Sequence, residues 1–208
     1  MKGKFITIEG CEGAGKSRQI TLLSDYLKSK NIDFIITREP GGSNISEKIR
    51  AIILDGKNTE MTYECEALLY AAARVQHLTE TVEPALKAGK LVICDRYIDS
   101  SYAYQGYARG LGVDLIEKIN SFATEKYMPD LTLFLNISPE DAFKRKGGAD
   151  TTDRLEMCGL EFHNKVYEGY LKLLQKYPKR IIPIYSLGDK MQTHSNIIKA
   201  LTEAGIIK

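Results

Sequence analysis

The stretch Gly10-Cys11-Glu12-Gly13-Ala14-Gly15-Lys16-Ser17 fits the phosphate-binding pattern G-x-x-x-x-G-K-[ST] without a mismatch. Before it, Lys4–Glu9 reads as a buried strand; after it, Lys16–Ser29 reads as a helix. That strand–loop–helix context is the one the motif requires. Its glycines let backbone N–H groups turn inward around phosphate oxygens. The helix that begins near Lys16 aims its positive end at the same place. Gly10, Cys11, Glu12, Gly13, Ala14, Gly15, Lys16 and Ser17 are therefore expected to hold ATP. Lys16 supplies a point charge to the β- and γ-phosphates, and Ser17 can hold Mg2+. Magnesium also wants a carboxylate at the end of a neighbouring strand, and Leu91-Val92-Ile93-Cys94-Asp95 offers Asp95 as that ligand, acting through water.

Outward from the loop, apolar runs alternate with helical patterns. Strands are expected at Asp33–Arg38, Leu91–Cys94, Leu131–Asn136 and Arg180–Tyr185. Helices are expected around Ile45–Leu54, over Thr62–Lys87 with a bend at Pro84, and over Val113–Lys126. Ser138-Pro139-Glu140-Asp141 reads as a helix start, with an N-cap hydroxyl, proline at the first position and acids in the first turn. Phe162, Val166, Tyr170, Leu174 and Tyr177 put one apolar face on a late helix, and Gln192–Glu203 closes the chain as another. Strand–helix alternation of this kind predicts a five-stranded parallel sheet covered on both faces, an α/β fold in a single domain over 1–208. The segment from Lys144 to Arg154 is basic, then small and polar, then charged. It reads either as a solvated loop or as a mobile lid over phosphates, for which Gly147-Gly148 provides a hinge.

The chain has 208 residues, 43% hydrophobic and 27% charged, with net charge +2. So small a charge gives no general attraction to nucleic acid or to an acidic membrane surface. The apolar runs are too short and too interrupted by charge to span a bilayer. The run ending at Glu9 is too short for a signal peptide, so a cytoplasmic location is expected. Cys11, Cys65, Cys94 and Cys158 form no C-x-x-C pair, and His77, His163 and His194 form no metal motif, so packing or surface roles are expected for the histidines.

Three classes of protein use such a loop. A GTPase switch would carry D-x-x-G and N-K-x-D; no Asp here precedes a Gly by three positions, and Asn164-Lys165-Val166-Tyr167 has Tyr where Asp is needed. A motor ATPase would be larger and carry coupling segments. A small-molecule kinase remains. Arg38, Arg50, Arg74, Arg96 and Arg109 are five of the nine arginines and fall between the second strand and the region after Asp95. Arginine suits bidentate phosphate binding. An acceptor that already bears a phosphate needs such clamps and no strong general base, because its oxygen is already ionised. The excess therefore favours a nucleotide acceptor, although Arg109 is equally readable as a salt-bridge partner.

Several segments together carry a resemblance to bacterial thymidylate kinases over nearly the whole chain. They are Phe5–Gly10 with the phosphate loop, Thr37-Arg38-Glu39-Pro40-Gly41-Gly42, and Leu69-Tyr70-Ala71-Ala72-Ala73-Arg74. Asp95-Arg96-Tyr97 running to Ala103-Tyr104-Gln105-Gly106 and Asp153-Arg154-Leu155-Glu156 complete the set. The resemblance implies a P-loop fold with strand order 2-3-1-4-5, a homodimer packed through helices, and transfer of the γ-phosphoryl group of ATP to dTMP with Mg2+. It implies that Glu12 faces the acceptor's 3′-hydroxyl or the magnesium shell and that Arg38 and Arg96 grip the dTMP phosphate, with Arg50 in the same pocket. Tyr70 would stack on thymine. Arg74 and Ser101 would hydrogen-bond the base edge with Ser100 and Gln105 nearby, and Tyr104 would crowd the sugar's 2′ position. Some relatives place an arginine in the loop after its acid; here that position is Gly13. The cation that stabilises the transferring group is then expected from the lid, from Arg145 or Arg154 in preference to Lys146. A related kinase acting on dUMP or a deoxynucleoside, and a non-catalytic nucleotide-binding switch, are the alternatives.

Overall fold

The computed structural model describes residues 3–146, 153–185 and 189–208, with only the backbone of Lys146. Five strands, β1 (Lys4–Glu9), β2 (Phe34–Arg38), β3 (Leu91–Asp95), β4 (Leu131–Asn136) and β5 (Ile181–Tyr185), form one sheet. Its order is β2-β3-β1-β4-β5, and every pairing is parallel. The register brings Ile8 opposite both Asp95 and Leu133 and brings Arg38 opposite Asp95. The carboxyl ends of β1, β2 and β3 are thus level, and the loops leaving them share one crevice, where ligands bind open parallel sheets.

Alternation along the strands divides the core in two. Phe5, Val92, Cys94 and Phe134 face one side; Ile6, Ile8, Ile93, Leu133 and Leu135 face the other. On the second side lie α1 (Lys16–Ser29), through Leu23 and Leu27, and α10 (Lys190–Glu203), through Ile197 and Leu201. On the first lie α2 (Asn44–Leu54), α3 (Tyr63–His77) and α9 (Gly159–Lys176). Each buried aliphatic side chain contributes about 1.5–3 kcal/mol. Rigid placement of the loops rests on these contacts.

The helical pattern of Thr62–Lys87 is resolved into three parts. Thr62 caps α3, its Oγ1 accepting from Cys65 N at 3.2 Å. A π turn (Leu78–Val82) then leads into α4 (Glu83–Lys87) without leaving helical backbone. Pro84 has no N–H to offer the preceding turn, and a widened turn just before it accommodates that loss. After β3 comes a helix that the sequence pattern does not announce, α5 (Ile98–Ser101) continued by a π-helical segment (Tyr102–Ala108). The predicted helix over Val113–Lys126 is two short ones, α6 (Val113–Ile119) and α7 (Ser121–Thr124). The break falls at buried Asn120, whose side chain donates to Ile116 O at 2.8 Å and accepts from Arg74. Helix α8 (Pro139–Lys146) starts as expected, Asp141 N donating to Ser138 Oγ at 3.1 Å. Residues 147–152 of the predicted lid, with the Gly147-Gly148 pair, lie outside the described residues. Among the described residues no helix is long and apolar enough to cross a membrane.

Candidate active site

The turn between β1 and α1 is shaped by left-handed glycines, with φ of 77° at Gly13 and 93° at Gly15. Gly15 occupies the N-cap of α1, no side chain caps that helix, and its first turn holds no acid. Its leading N–H groups are therefore left for an anion from outside. Lys16 lies back along the loop, its Nζ donating to Gly10 O at 3.4 Å and Cys11 O at 3.2 Å. Burial, and then the Arg96 charge, lower its pKa; Asp95 and Glu12 oppose that shift. Ser17 and Asp95 line the same cleft, and Asp95 Oδ1 is buried with no hydrogen-bond partner among the described residues. A hydroxyl and an unsatisfied carboxylate oxygen in one cleft are oxygen donors of the kind Mg2+ takes.

The cleft has a volume of about 290 Å³ and runs from this loop toward α3 and the π-helical segment. Arg38, Arg50, Arg74 and Arg96 all line it. Arg109 does not. It pairs with Glu66 at 3.1 Å and stacks over the rings of Tyr63 and Phe162, the salt-bridge alternative.

Arg96 is a non-glycine residue with φ of 68°, a conformer that costs about 1–3 kcal/mol. The surroundings hold it there. Arg96 N donates to Ile8 O at 3.1 Å, and Tyr97 N donates to Glu9 Oε1 at 2.8 Å, so the turn after β3 is tied to β1. The side chain is thereby directed over the phosphate loop, where it donates to Gly10 O at 3.0 Å, approaches Glu12 at 3.4 Å and lies over the Tyr104 ring. Glu9, fully buried, also accepts from Ser100 Oγ at 2.6 Å and Tyr170 OH at 2.7 Å. Burial, reinforced by the charge of Asp99, pushes its carboxyl up to about 7.

Arg74 is buried under the far end of the cleft. Its Nε donates to Glu39 Oε2 at 2.7 Å, one Nη to Asn120 Oδ1 and the other to Ser101 Oγ at 3.0 Å. A guanidinium has five N–H groups, and these bonds among the described residues use three of them. Glu39 is itself fixed by His77, whose Nδ1 lies 2.9 Å from Oε1. Ser101 is not among the cleft-lining residues; its hydroxyl accepts from Arg74. Tyr70, Ser100, Tyr104 and Gln105 do line the cleft, and Gln105 is oriented by donating to Glu66 Oε1 at 2.7 Å. Arg38 is held by both oxygens of Glu47, at 2.9 and 2.8 Å, and Arg50 donates to Pro40 O at 2.9 Å.

Neither lid arginine lines the cleft. Arg154 is engaged elsewhere, donating to Glu66 Oε2 at 2.6 Å and to Ile53 O at 2.9 Å, which binds the segment after the lid to α2 and α3. Arg145 lies exposed in the last turn of α8. The lining residues without a role from sequence include Glu39, Asp153, Glu156 and His163. The first three sit inside the quoted R-E-P-G-G and D-R-L-E segments, so a signal for them existed; His163 was read as packing or surface.

A sequence model described as thymidylate kinase matches residues 8–197. Over 182 residues the chain is 57% identical to the thymidylate kinase of Clostridium novyi (strain NT), an alignment covering 86% of this chain and 89% of that one. To the thymidylate kinase of Geobacillus sp. (strain WCH70) it is 53% identical over 186 residues, covering 88% and 89%. The crystal structure of thymidylate kinase from Ehrlichia chaffeensis matches with a TM-score of 0.79 at 30% identity, covering 97% of this chain and all of that one.

Proposed function

The chain belongs to the thymidylate kinase family, and we propose from that membership and the cleft's geometry which residues carry the family's reaction. The reaction is ATP + dTMP → ADP + dTDP, a step toward dTTP. One observation supports the assignment most: four arginines line a single cleft whose other end is Lys16, Ser17 and Asp95. Cations at both ends bring two anions together, and an ionised phosphate oxygen attacks without a general base.

ATP lies along Gly10–Ser17, its phosphates on the leading N–H groups of α1 and on Lys16. Ser17 and Asp95 would hold Mg2+, which would neutralise phosphate charge. Arg96 and Arg38 hold the dTMP phosphate, with Arg50 beside them. Tyr70 stacks on thymine; the remaining N–H groups of Arg74 and the amide of Gln105 meet its edge. Ser101 orients Arg74. Glu12 and Tyr104 bound the sugar. Arg145, and not the engaged Arg154, supplies the lid cation. The unassisted chemistry of the chain is positioning and charge neutralisation.

A coupled ADP-release assay over dTMP, dUMP, thymidine and the ribose counterpart of dTMP tests this reading. dTMP is expected to be the preferred acceptor, over the ribose form by roughly one to two powers of ten. Tyr104 is buried and lines the cleft, which supports a ring set against the sugar's 2′ carbon. Tyr104→Ala is expected to narrow that gap, and equal kcat/KM for both sugars in the unaltered enzyme would overturn the role of Tyr104. Preference for thymidine would overturn the acceptor assignment.

We also propose a homodimer acting in the cytoplasm. Packed side by side, α2 and α3 carry apolar residues at seven-residue spacing on their outer faces. Ile45 and Ile52 are 48 and 49% exposed, and Leu68 and Val75 are 56 and 40% exposed. Such a stripe suits a second copy of the same helix pair. Sedimentation at micromolar concentration is expected to show a dimer, and Leu68→Glu to shift it toward monomer. A monomeric unaltered chain at that concentration refutes the dimer.

A further inference from the structure

Helix α9 buries one face against the π-helical segment and the sheet, through Val166, Tyr170 and Leu173. Gly169 permits the close approach; a Cβ there would meet Tyr107 Cβ at 3.0 Å and Ala103 Cα at 3.1 Å. His163 lies one turn before Val166, on the same buried face, and α9 therefore delivers an imidazole to the cleft wall. It is 1% exposed and lines the cleft near Glu12, Arg96 and Tyr104. The rings of Phe143, Phe162 and Tyr104 surround it edge-on, with centroids 5.0, 5.6 and 6.4 Å away, which fixes its plane.

Both ring nitrogens are buried, and neither reaches a hydrogen-bond partner among the described residues. The Leu155 backbone lies near the ring and favours its protonated form, without meeting hydrogen-bond geometry. Burial, and then the charge of Arg96, act against it and keep the ring neutral. A neutral imidazole has one donor and one acceptor. A buried polar side chain without partners in an aromatic wall is costly, and phenylalanine would fill that space at lower cost. The arrangement is accounted for if the partner is a ligand atom.

Which atom follows from what the other residues occupy, and this step rests on the acceptor assignment above. The base end of the cleft belongs to Tyr70, Arg74 and Gln105. The phosphate is met by arginines, and a neutral ring held beside Arg96 adds no charge for it. What remains is the sugar, where Glu12 offers carboxylate acceptors and no neutral donor–acceptor pair. In a 5′-phosphorylated 2′-deoxynucleoside the sugar carries a single hydroxyl, at the 3′ position, and a hydroxyl both donates and accepts. We propose that His163 hydrogen-bonds the 3′-hydroxyl of dTMP and selects acceptors that carry it.

The test measures kcat/KM for dTMP and for its 3′-deoxy analogue in the unaltered enzyme, His163→Phe and His163→Gln. Phenylalanine keeps the aromatic wall and removes both nitrogens. His163→Phe is expected to lower kcat/KM for dTMP by roughly tenfold, mainly through KM, and to leave the 3′-deoxy analogue within about twofold. His163→Gln, which keeps a donor and an acceptor, is expected to recover part of the dTMP loss. An equal loss with both acceptors would show that the ring only packs, and no loss with dTMP would show that it makes no contact; either overturns the proposal. Should His163→Phe have a lowered Tm, the same comparison in His163→Gln decides, since only loss of a 3′-specific contact separates the two acceptors. Failure of the unaltered enzyme to use dTMP would instead overturn the acceptor assignment.

Discussion

Lys16→Ala is expected to lower kcat by at least about a hundredfold, and by up to about a thousandfold, with the Tm unchanged or slightly raised. The Lys16 ammonium is buried, and its hydrogen-bond partners among the described residues are two loop carbonyls at 3.4 and 3.2 Å, both long. Burial lowers its pKa, so it loses proton affinity on folding. A lysine of this kind costs the fold stability wherever it is charged, at every pH below its unfolded value. Its removal therefore takes away contacts that burial outweighs. The charge has value only when phosphate is present, and most value as negative charge shifts toward the leaving oxygen. Steady-state kinetics beside thermal denaturation check both halves. A variant that keeps more than about a tenth of kcat refutes the phosphate-site assignment.

Arg145→Ala is expected to lower kcat by three or more powers of ten while the KM for dTMP moves little, the signature of a contact made in the transition state. Gly13 leaves the phosphate loop without an arginine of its own. Helix α8 follows β4, which pairs directly with β1, so it starts from the sheet end that carries the loop. Arg154 has a different occupation. Its guanidinium joins Arg109 and Gln105 around the fully buried carboxylate of Glu66. Removing it leaves Glu66 two partners and is expected to cost about 2 kcal/mol of stability, with a kcat loss of no more than about tenfold. Single alanine variants of Arg145, Lys146 and Arg154, compared in kcat and Tm, separate these roles. A larger kcat loss in Arg154→Ala with an unmoved Tm would return the role to Arg154. Loss confined to Lys146→Ala would refute an arginine altogether.

The phosphate loop was legible because all its parts are local. A strand, three glycines, a lysine and a serine lie within fourteen residues, Lys4–Ser17, and each has a physical meaning in its own place. The strands were legible for a similar reason: short apolar runs with helical patterns between them leave a parallel sheet as the arrangement that buries both. The arginine-rich stretch announced an anionic acceptor by composition alone. Their positions around one cleft follow from the level ends of β1, β2 and β3.

What composition and period left unread depends on neighbours far away in the chain. The π-helical segment Tyr102–Ala108 takes its shape against α9, from which it is separated by some fifty residues. The break at Asn120 answers the demand of Arg74, 46 residues earlier. Glu9 orients the Arg96 turn together with Tyr170, 161 residues away. Arg154 looks in sequence like a free lid cation, and Glu66, 88 residues before it, takes it up. His163 is the clearest case: one histidine on an apolar helix face reads as core, and only the position of that face beside Tyr104 and Glu12 turns it toward a ligand. Sequence by itself determined the loop that binds phosphate, the sheet behind it and the charge of the acceptor. Those features depend on backbone geometry and hydrophobic period within a few residues. Tertiary structure decided which side chains are taken up in pairing with one another and which are left with unused hydrogen-bonding atoms at the cleft, because a buried polar group is satisfied by whatever the fold brings to it.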